Sequence, residues 1–305
     1  VSQNWPAELR EPSWNVANHL LEWGSTYGPG DVDVLLQEPQ ATPYDINFSF
    51  LGFPVRVHPA FFIIPVLLGG SIFQYAQQLN VNVGVCLLVL IAVFFVSILV
   101  HELGHTLAFR SFGIHSHVLL YWLGGLAIPD SVGSWSAGRR RPLTSNQQVI
   151  VSLAGPFAGF CLAGAFVGLV YLLGGRVEFV AGGFIPTLVP HLEDSRIAGN
   201  GALFIFLWLG LWANIFWNVL NLAPIFPLDG GQVARELLTQ FDPRNGLRYS
   251  LMLSIIVGVL IAIRGLSSGD HFMAFFFGYM AWVSYQALQR FGGGFGGGYG
   301  GGNPW

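Results

Sequence analysis

The chain has 305 residues, of which 53% are hydrophobic and only 10% charged, with a mean hydropathy of +0.56. An ordinary soluble domain carries about 25% charged residues, so this composition excludes a simple water-soluble globule and points to lipid as the solvent. The net charge of -3 adds nothing about partners, and no basic face suggests nucleic acid, which is not expected as a partner.

Residues 1 to 47 carry Trp5, Trp14 and Trp23 among polar and acidic residues, with no basic segment leading into an apolar run. A cleavable signal sequence is therefore not expected. From Asn47 to Val57 the pattern predicts two short strands around Leu51-Gly52-Phe53-Pro54, leading at His58-Pro59 into the first apolar stretch. Crossing a bilayer core of about 30 Å takes roughly 20 apolar helical residues. About six stretches qualify, at 59 to 78, 82 to 109, 147 to 173, 201 to 221, 249 to 265 and 271 to 289, the fifth being short.

Between the second and third spans, Gly113 to Ile128 is rich in β-branched and aromatic residues and contains Gly124-Gly125. It predicts further short strands at the membrane surface, because open sheet edges are not tolerated in lipid. The third span opens with Ser152-Leu153-Ala154-Gly155-Pro156-Phe157-Ala158-Gly159. Gly155 and Gly159 share one helical face, where small residues let a neighbouring helix approach. Residues 174 to 200 read as a polar-containing outer loop and 291 to 305 as a flexible glycine-rich tail. Cys86 and Cys161 fall inside spans without metal-ligand spacing and read as small apolar residues.

All 13 residues of the Lys and Arg total are arginine. With six crossings, one side holds Arg10, Arg56, Arg110, Arg139 to Arg141, Arg235, Arg244, Arg248 and Arg290, and the other only Arg176, Arg196 and Arg264. Because cytoplasmic loops are enriched in basic residues, both termini are expected in the cytoplasm.

The chemistry gathers in the second span, at His101-Glu102-Leu103-Gly104-His105. At about 3.6 residues per turn, positions four apart differ by about 40° around the helix, so both imidazoles can reach one metal ion. Such an ion lowers the pKa of bound water towards ~7, and a carboxylate that does not ligate it, here Glu102, takes the proton as the water attacks a carbonyl. At this chain's His and Glu frequencies a chance H-E-x-x-H is expected about 0.005 times. Ionisable groups inside a span are also costly unless paired or bound to metal.

A catalytic zinc needs a third protein ligand and leaves a fourth position for water. The fourth span ends in Asn221-Leu222-Ala223-Pro224-Ile225-Phe226-Pro227-Leu228-Asp229-Gly230, where two prolines stop the helix. Asp229 either caps the segment that follows or supplies that third ligand. The second and fourth spans run in the same direction, which favours the ligand.

His101-Glu102-x-x-His105 in one span, with Asn221-x-x-Pro224-x-x-x-x-Asp229-Gly230 ending a later one, resembles the site-2 protease family of intramembrane zinc metalloproteases. Ala154-Gly155-Pro156 and the entry Val57-His58-Pro59 resemble it as well. The resemblance implies one zinc ion held by His101, His105 and Asp229, with Glu102 as general base and later proton donor to the leaving amine. It also implies that Asn221 holds substrate or the developing oxyanion, and that His58 is a further polar contact near the cleft. His115 and His117 read as surface residues on a strand.

The expected protein is thus an all-α polytopic membrane protein of about six transmembrane helices, with short membrane-surface β-strands near the active site. Its organisation reads as a polar cytoplasmic segment at 1 to 47, a membrane-embedded metalloprotease domain at 48 to 290 with its core at about 50 to 240, and the tail at 291 to 305. No appended peptide-binding domain is expected. The partners implied are the lipid bilayer and transmembrane protein substrates, with the active site towards the cytoplasm; nothing in the sequence sets an oligomeric state. The alternative is a catalytically inactive protease-like scaffold that binds membrane helices.

Overall fold

The structure is a computed structural model that describes residues 39–68, 76–122, 124–129, 143–180, 185, 187–193 and 199–293. These divide into two compact units. The first takes in residues up to 122, 124–129 and 154–220, and the second residues 143–153 and 221–293.

The first unit opens with a four-stranded sheet in the order β1 (Ile46–Phe50), β2 (Phe53–Val57), β3 (Ser116–Tyr121) and β4 (Gly124–Pro129). β1 and β2 form the hairpin expected from the sequence, pairing Ile46 with Val57 and Phe50 with Phe53. Its two-residue turn needs positive φ at both central positions, and Leu51 (φ 50) and Gly52 (φ 80) supply it. β2 then runs parallel to β3, and β3 antiparallel to β4. Arg56 ties the hairpin to the preceding segment through Nε to Asp45 Oδ2 at 2.6 Å and Nη2 to the Pro39 carbonyl at 2.7 Å.

After β2, His58 caps a short 3-10 helix at Pro59–Phe62 that continues into α1 (Ile63–Leu68). Residues 69–75 of the expected first span lie outside the described residues. The second span is α2 (Val83–Ser111), which begins where the Asn82 side chain accepts the Gly84 N–H at 2.8 Å. Its 29 residues extend roughly 43 Å at ~1.5 Å per residue, more than an apolar bilayer core requires.

The third span, α3 (Ser145–Leu172), contributes its first turns to the second unit and the remainder to the first. In the first unit it is followed by a β5 (Arg176–Val180) and β6 (Thr187–His191) hairpin, then by α4 (Gly201–Asn221). This hairpin lies within residues 174 to 200, for which the sequence predicts a polar-containing outer loop. Its cue is the β-branched and aromatic Val177, Phe179 and Val180 interleaved with Arg176 and Glu178, on a strand that is mostly exposed. The core of this unit gathers Val55, Val57 and Phe61 from the sheet side with Leu90, Val93, Ile98 and Leu103 of α2 and Ile205 and Leu209 of α4.

The second unit contains α5 (Asp229–Phe241), α6 (Gly246–Ser268) and α7 (His271–Gly293). Among the described residues, α2, α3, α4 and α6 are long and apolar enough to cross a membrane. α6 runs 23 residues where the sequence suggested a shorter span. α7 is an equally long helix over the expected sixth span but is less apolar and does not meet that standard. The chain is therefore a mostly helical integral membrane protein with small strand sheets. The arginine-rich residues 139 to 141, most of the polar N-terminal segment and the tail beyond Gly293 lie outside the described residues.

Candidate active site

His101 lies 18 residues after Val83, the first residue of α2, so it sits roughly 27 Å along that helix, near one end of the apolar run. His101, Glu102 and His105 are all buried. Their ligand-capable atoms lie within 4.8 Å of one another. The imidazoles are one turn apart with ring planes at 75°, and the two Nε2 atoms stand 3.2 Å from each other.

That separation fits a zinc ion. Two nitrogens each bound at about 2.0–2.1 Å in tetrahedral geometry stand about 3.3 Å apart. His101 meets a second condition as well: its other ring nitrogen, Nδ1, lies 2.7 Å from the Asn218 side-chain oxygen on α4. A metal-ligating histidine characteristically donates its remaining N–H to such an oxygen.

Close packing around the triad depends on glycines. A Cβ on Gly155 of α3 would fall within 3 Å of the His105 ring, and one on Gly159 would overlap the Asn218 amide. Gly104 brings α2 equally close to the backbone of Ala154. The shared face of Gly155 and Gly159 thus serves packing, as the sequence suggested, but what it packs against is the site itself. On the sheet side, a Cβ on Gly125 of β4 would lie 2.5 Å from Glu102 Oε1, and one on Gly124 would strike the Trp217 ring. β4 therefore passes directly over the carboxylate. Tyr121, paired with Gly124 at the end of β3, is buried; desolvation first, and then the charge of Glu102, hold its phenol well above its ordinary value.

The other sequence candidates fall as follows. Asn221 is the buried last residue of α4. Asp229 is the buried first residue of α5 and belongs to the second unit. His58 accepts the Ala60 N–H on Nδ1 at 3.1 Å, which makes it a helix cap, and it is not one of the His101, Glu102 and His105 group. His115 is exposed and His117 half-buried.

Within the second unit, the segment before Asp229 is held in a defined shape. Its Phe226–Pro227 peptide is cis. The Phe226 N–H donates to Ser254 Oγ on α6 at 3.0 Å, and Ser284 Oγ on α7 lies 3.5 Å from the Phe226 carbonyl. Gly230 and Gly231 press against the backbone of Leu222, Ala223 and Ile225 so closely that a Cβ on either would overlap it. This explains the two glycines that follow Asp229.

Asn214 and Asn218 were not singled out from the sequence. Their signal was present: in an otherwise apolar span, Asn214, Asn218 and Asn221 recur at helical spacing on one face, and of the first two it is Asn218 whose side chain reaches His101.

A buried His-Glu-x-x-His on an apolar helix is an arrangement that can hold a metal ion within a membrane-spanning segment. Residues 89–264 match the model of Peptidase family M50, and with more than half its length matched the chain belongs to that family, the family of the site-2 proteases. It is 26% identical over 218 residues to a zinc metalloprotease of Methanocaldococcus jannaschii, a match covering 71% of this chain and 51% of that protein. It is 29% identical over 198 residues to an Arabidopsis thaliana chloroplast protein named as a probable zinc metalloprotease, covering 58% of this chain and 32% of that one. The chain spans no more than about half the length of these relatives. Among solved structures it is similar to the site-2 protease from Methanocaldococcus jannaschii, at 20% identity and a TM-score of 0.47, covering 80% of this chain and 95% of that one.

Proposed function

We propose that this metalloprotease is an intramembrane enzyme that holds one zinc ion and hydrolyses peptide bonds in, or at the edge of, transmembrane segments of other membrane proteins. The observation that carries the reading is the buried His101, Glu102 and His105 cluster within a 29-residue apolar helix, with β4 running against Glu102.

His101 and His105 are two zinc ligands, and Asp229 is the third on the strength of the sequence pattern that ends in Asp229-Gly230. When bound, zinc polarises the scissile carbonyl and the attacking water. Glu102 takes the proton of that water and later gives it to the leaving amine. Asn221 contacts the substrate or the developing oxyanion. His58, with Nδ1 committed to the Ala60 N–H, has only its Nε2 edge to offer a substrate. The distribution of arginines supports termini and active site on the cytoplasmic side.

A helical substrate conceals its scissile carbonyl in its own hydrogen bonds and must unwind before water can attack. β4 offers the unwound segment a place: one edge pairs with β3, and among the described residues no strand pairs with the other. Strand addition there lays an extended backbone beside Glu102. The inactive-scaffold alternative is not favoured, because Glu102 stands in the buried cluster with both histidines.

The test is to reconstitute the chain in lipid nanodiscs with a panel of single-span polypeptides and to map the cut bonds by mass spectrometry. Cuts within or bordering the apolar segment are expected. Cuts confined to soluble loops would contradict the intramembrane reading.

A further inference from the structure

The environment of His101 fixes more than its position. The Asn218 side-chain nitrogen donates to the Asn214 carbonyl one turn back on α4. A carbonyl only accepts, so the amide orientation, which is often ambiguous, is decided: the nitrogen faces the carbonyl and Oδ1 faces His101. Oδ1 in turn only accepts, so the proton of the neutral His101 ring sits on Nδ1, and the lone pair is on Nε2, the atom facing His105 Nε2. Asn218 and His101 are each 2% exposed, so bulk water does not compete for this bond. The amide is mounted on its own helix by the bond to Asn214, and Gly159 leaves it the room it occupies.

We propose that Asn218 is a positioning residue for zinc binding: it holds the His101 ring in the tautomer and orientation that present Nε2 to the metal. The proposal rests on the zinc-protease reading above. One turn away along α4, Asn214 donates to Ser97 Oγ at 2.9 Å and to the Gly210 carbonyl. Its side chain bonds to neither histidine in these contacts, which makes it the matched control for polar helix pairing alone.

The experiment measures zinc affinity by chelator competition on the purified full chain, together with the visible absorption of the cobalt-substituted protein. Wild type is compared with Asn218→Leu, Asn218→Asp, Asn214→Leu and Gly159→Ala, with melting of the metal-free form as the folding control. Losing such a partner typically weakens metal affinity 10–100-fold, and about that loss is expected for Asn218→Leu, with an altered cobalt spectrum. Asn218→Asp, which keeps the oxygen that faces His101 but loses the donor to the Asn214 carbonyl, is expected to lose clearly less affinity than Asn218→Leu, and Asn214→Leu to keep the wild-type affinity and spectrum. Should Asn218→Leu fail to fold, Gly159→Ala takes its place, since it displaces the amide and removes no polar group. Wild-type affinity in the variant so used, or an equal loss in Asn218→Asp, overturns the proposal while leaving the protease reading intact. A wild type that binds no zinc overturns both.

Discussion

Gly125 of β4 approaches Glu102 so closely that a Cβ there would sit 2.5 Å from the carboxylate oxygen. The strand and the Glu102 carboxylate are therefore one packed unit, and the absence of a side chain at residue 125 leaves the carboxylate its place. Gly125→Val is expected to displace Glu102 and lower cleavage at least tenfold while zinc content stays at the wild-type level. Overpacking of this kind also costs about 1–3 kcal/mol of stability. Cleavage and metal analysis on the same preparation check both parts.

Gly155 of α3 stands against the His105 ring. Gly155→Ala is expected to push that imidazole out of line and reduce zinc binding itself, the converse of the Gly125 result. Metal analysis after dialysis against a weak chelator separates the two.

Ser254 and Ser284 fasten Phe226, three residues before Asp229, to α6 and α7. Removing Ser254 Oγ strands a Phe226 N–H and is expected to cost about 1–3 kcal/mol. Ser254→Ala should therefore melt earlier than wild type, and Ser254→Thr, which keeps the hydroxyl, should recover most of the loss. A thermal melt of each in the same detergent decides it.

Asp45 gives the sheet a defined pH dependence. Burial alone would raise its carboxyl, but the hydrogen bonds from Thr42 and Arg56 outweigh that and hold it below its ordinary 3.8. Because the folded value is the lower one, the stabilisation is fully present above the unfolded pKa and is lost as pH falls through the folded one. Asp45→Asn is thus expected to lower stability at neutral pH by about 1–3 kcal/mol and to flatten the decline below about pH 4. Unfolding measured across pH 2 to 7 tests the sign.

The triad was legible in sequence because its spacing is local: His101, Glu102 and His105 lie within a helical turn and a half, and a helix converts that spacing directly into geometry. The β1–β2 pair was legible for the same reason, around Leu51-Gly52-Phe53-Pro54, although only Leu51-Gly52 forms the turn and Phe53 and Pro54 already belong to β2. What sequence did not reveal is what arrives from elsewhere in the chain. Gly125 and Gly155 looked like turn and packing residues, and only the fold shows that their missing side chains make room for Glu102 and His105. Asn218 is 117 residues from His101, and no local period links them. α6 and α7 carried no chemical motif, and their serines gain meaning only through Phe226.

The central claim is that Glu102 moves the proton in a zinc-dependent peptide hydrolysis. It is tested most directly by Glu102→Gln, which removes the base and preserves its shape, assayed for zinc content and for cleavage of a single-span substrate. The account predicts zinc equal to wild type with cleavage lost by several orders of magnitude. Cleavage at the wild-type rate in that variant would contradict it.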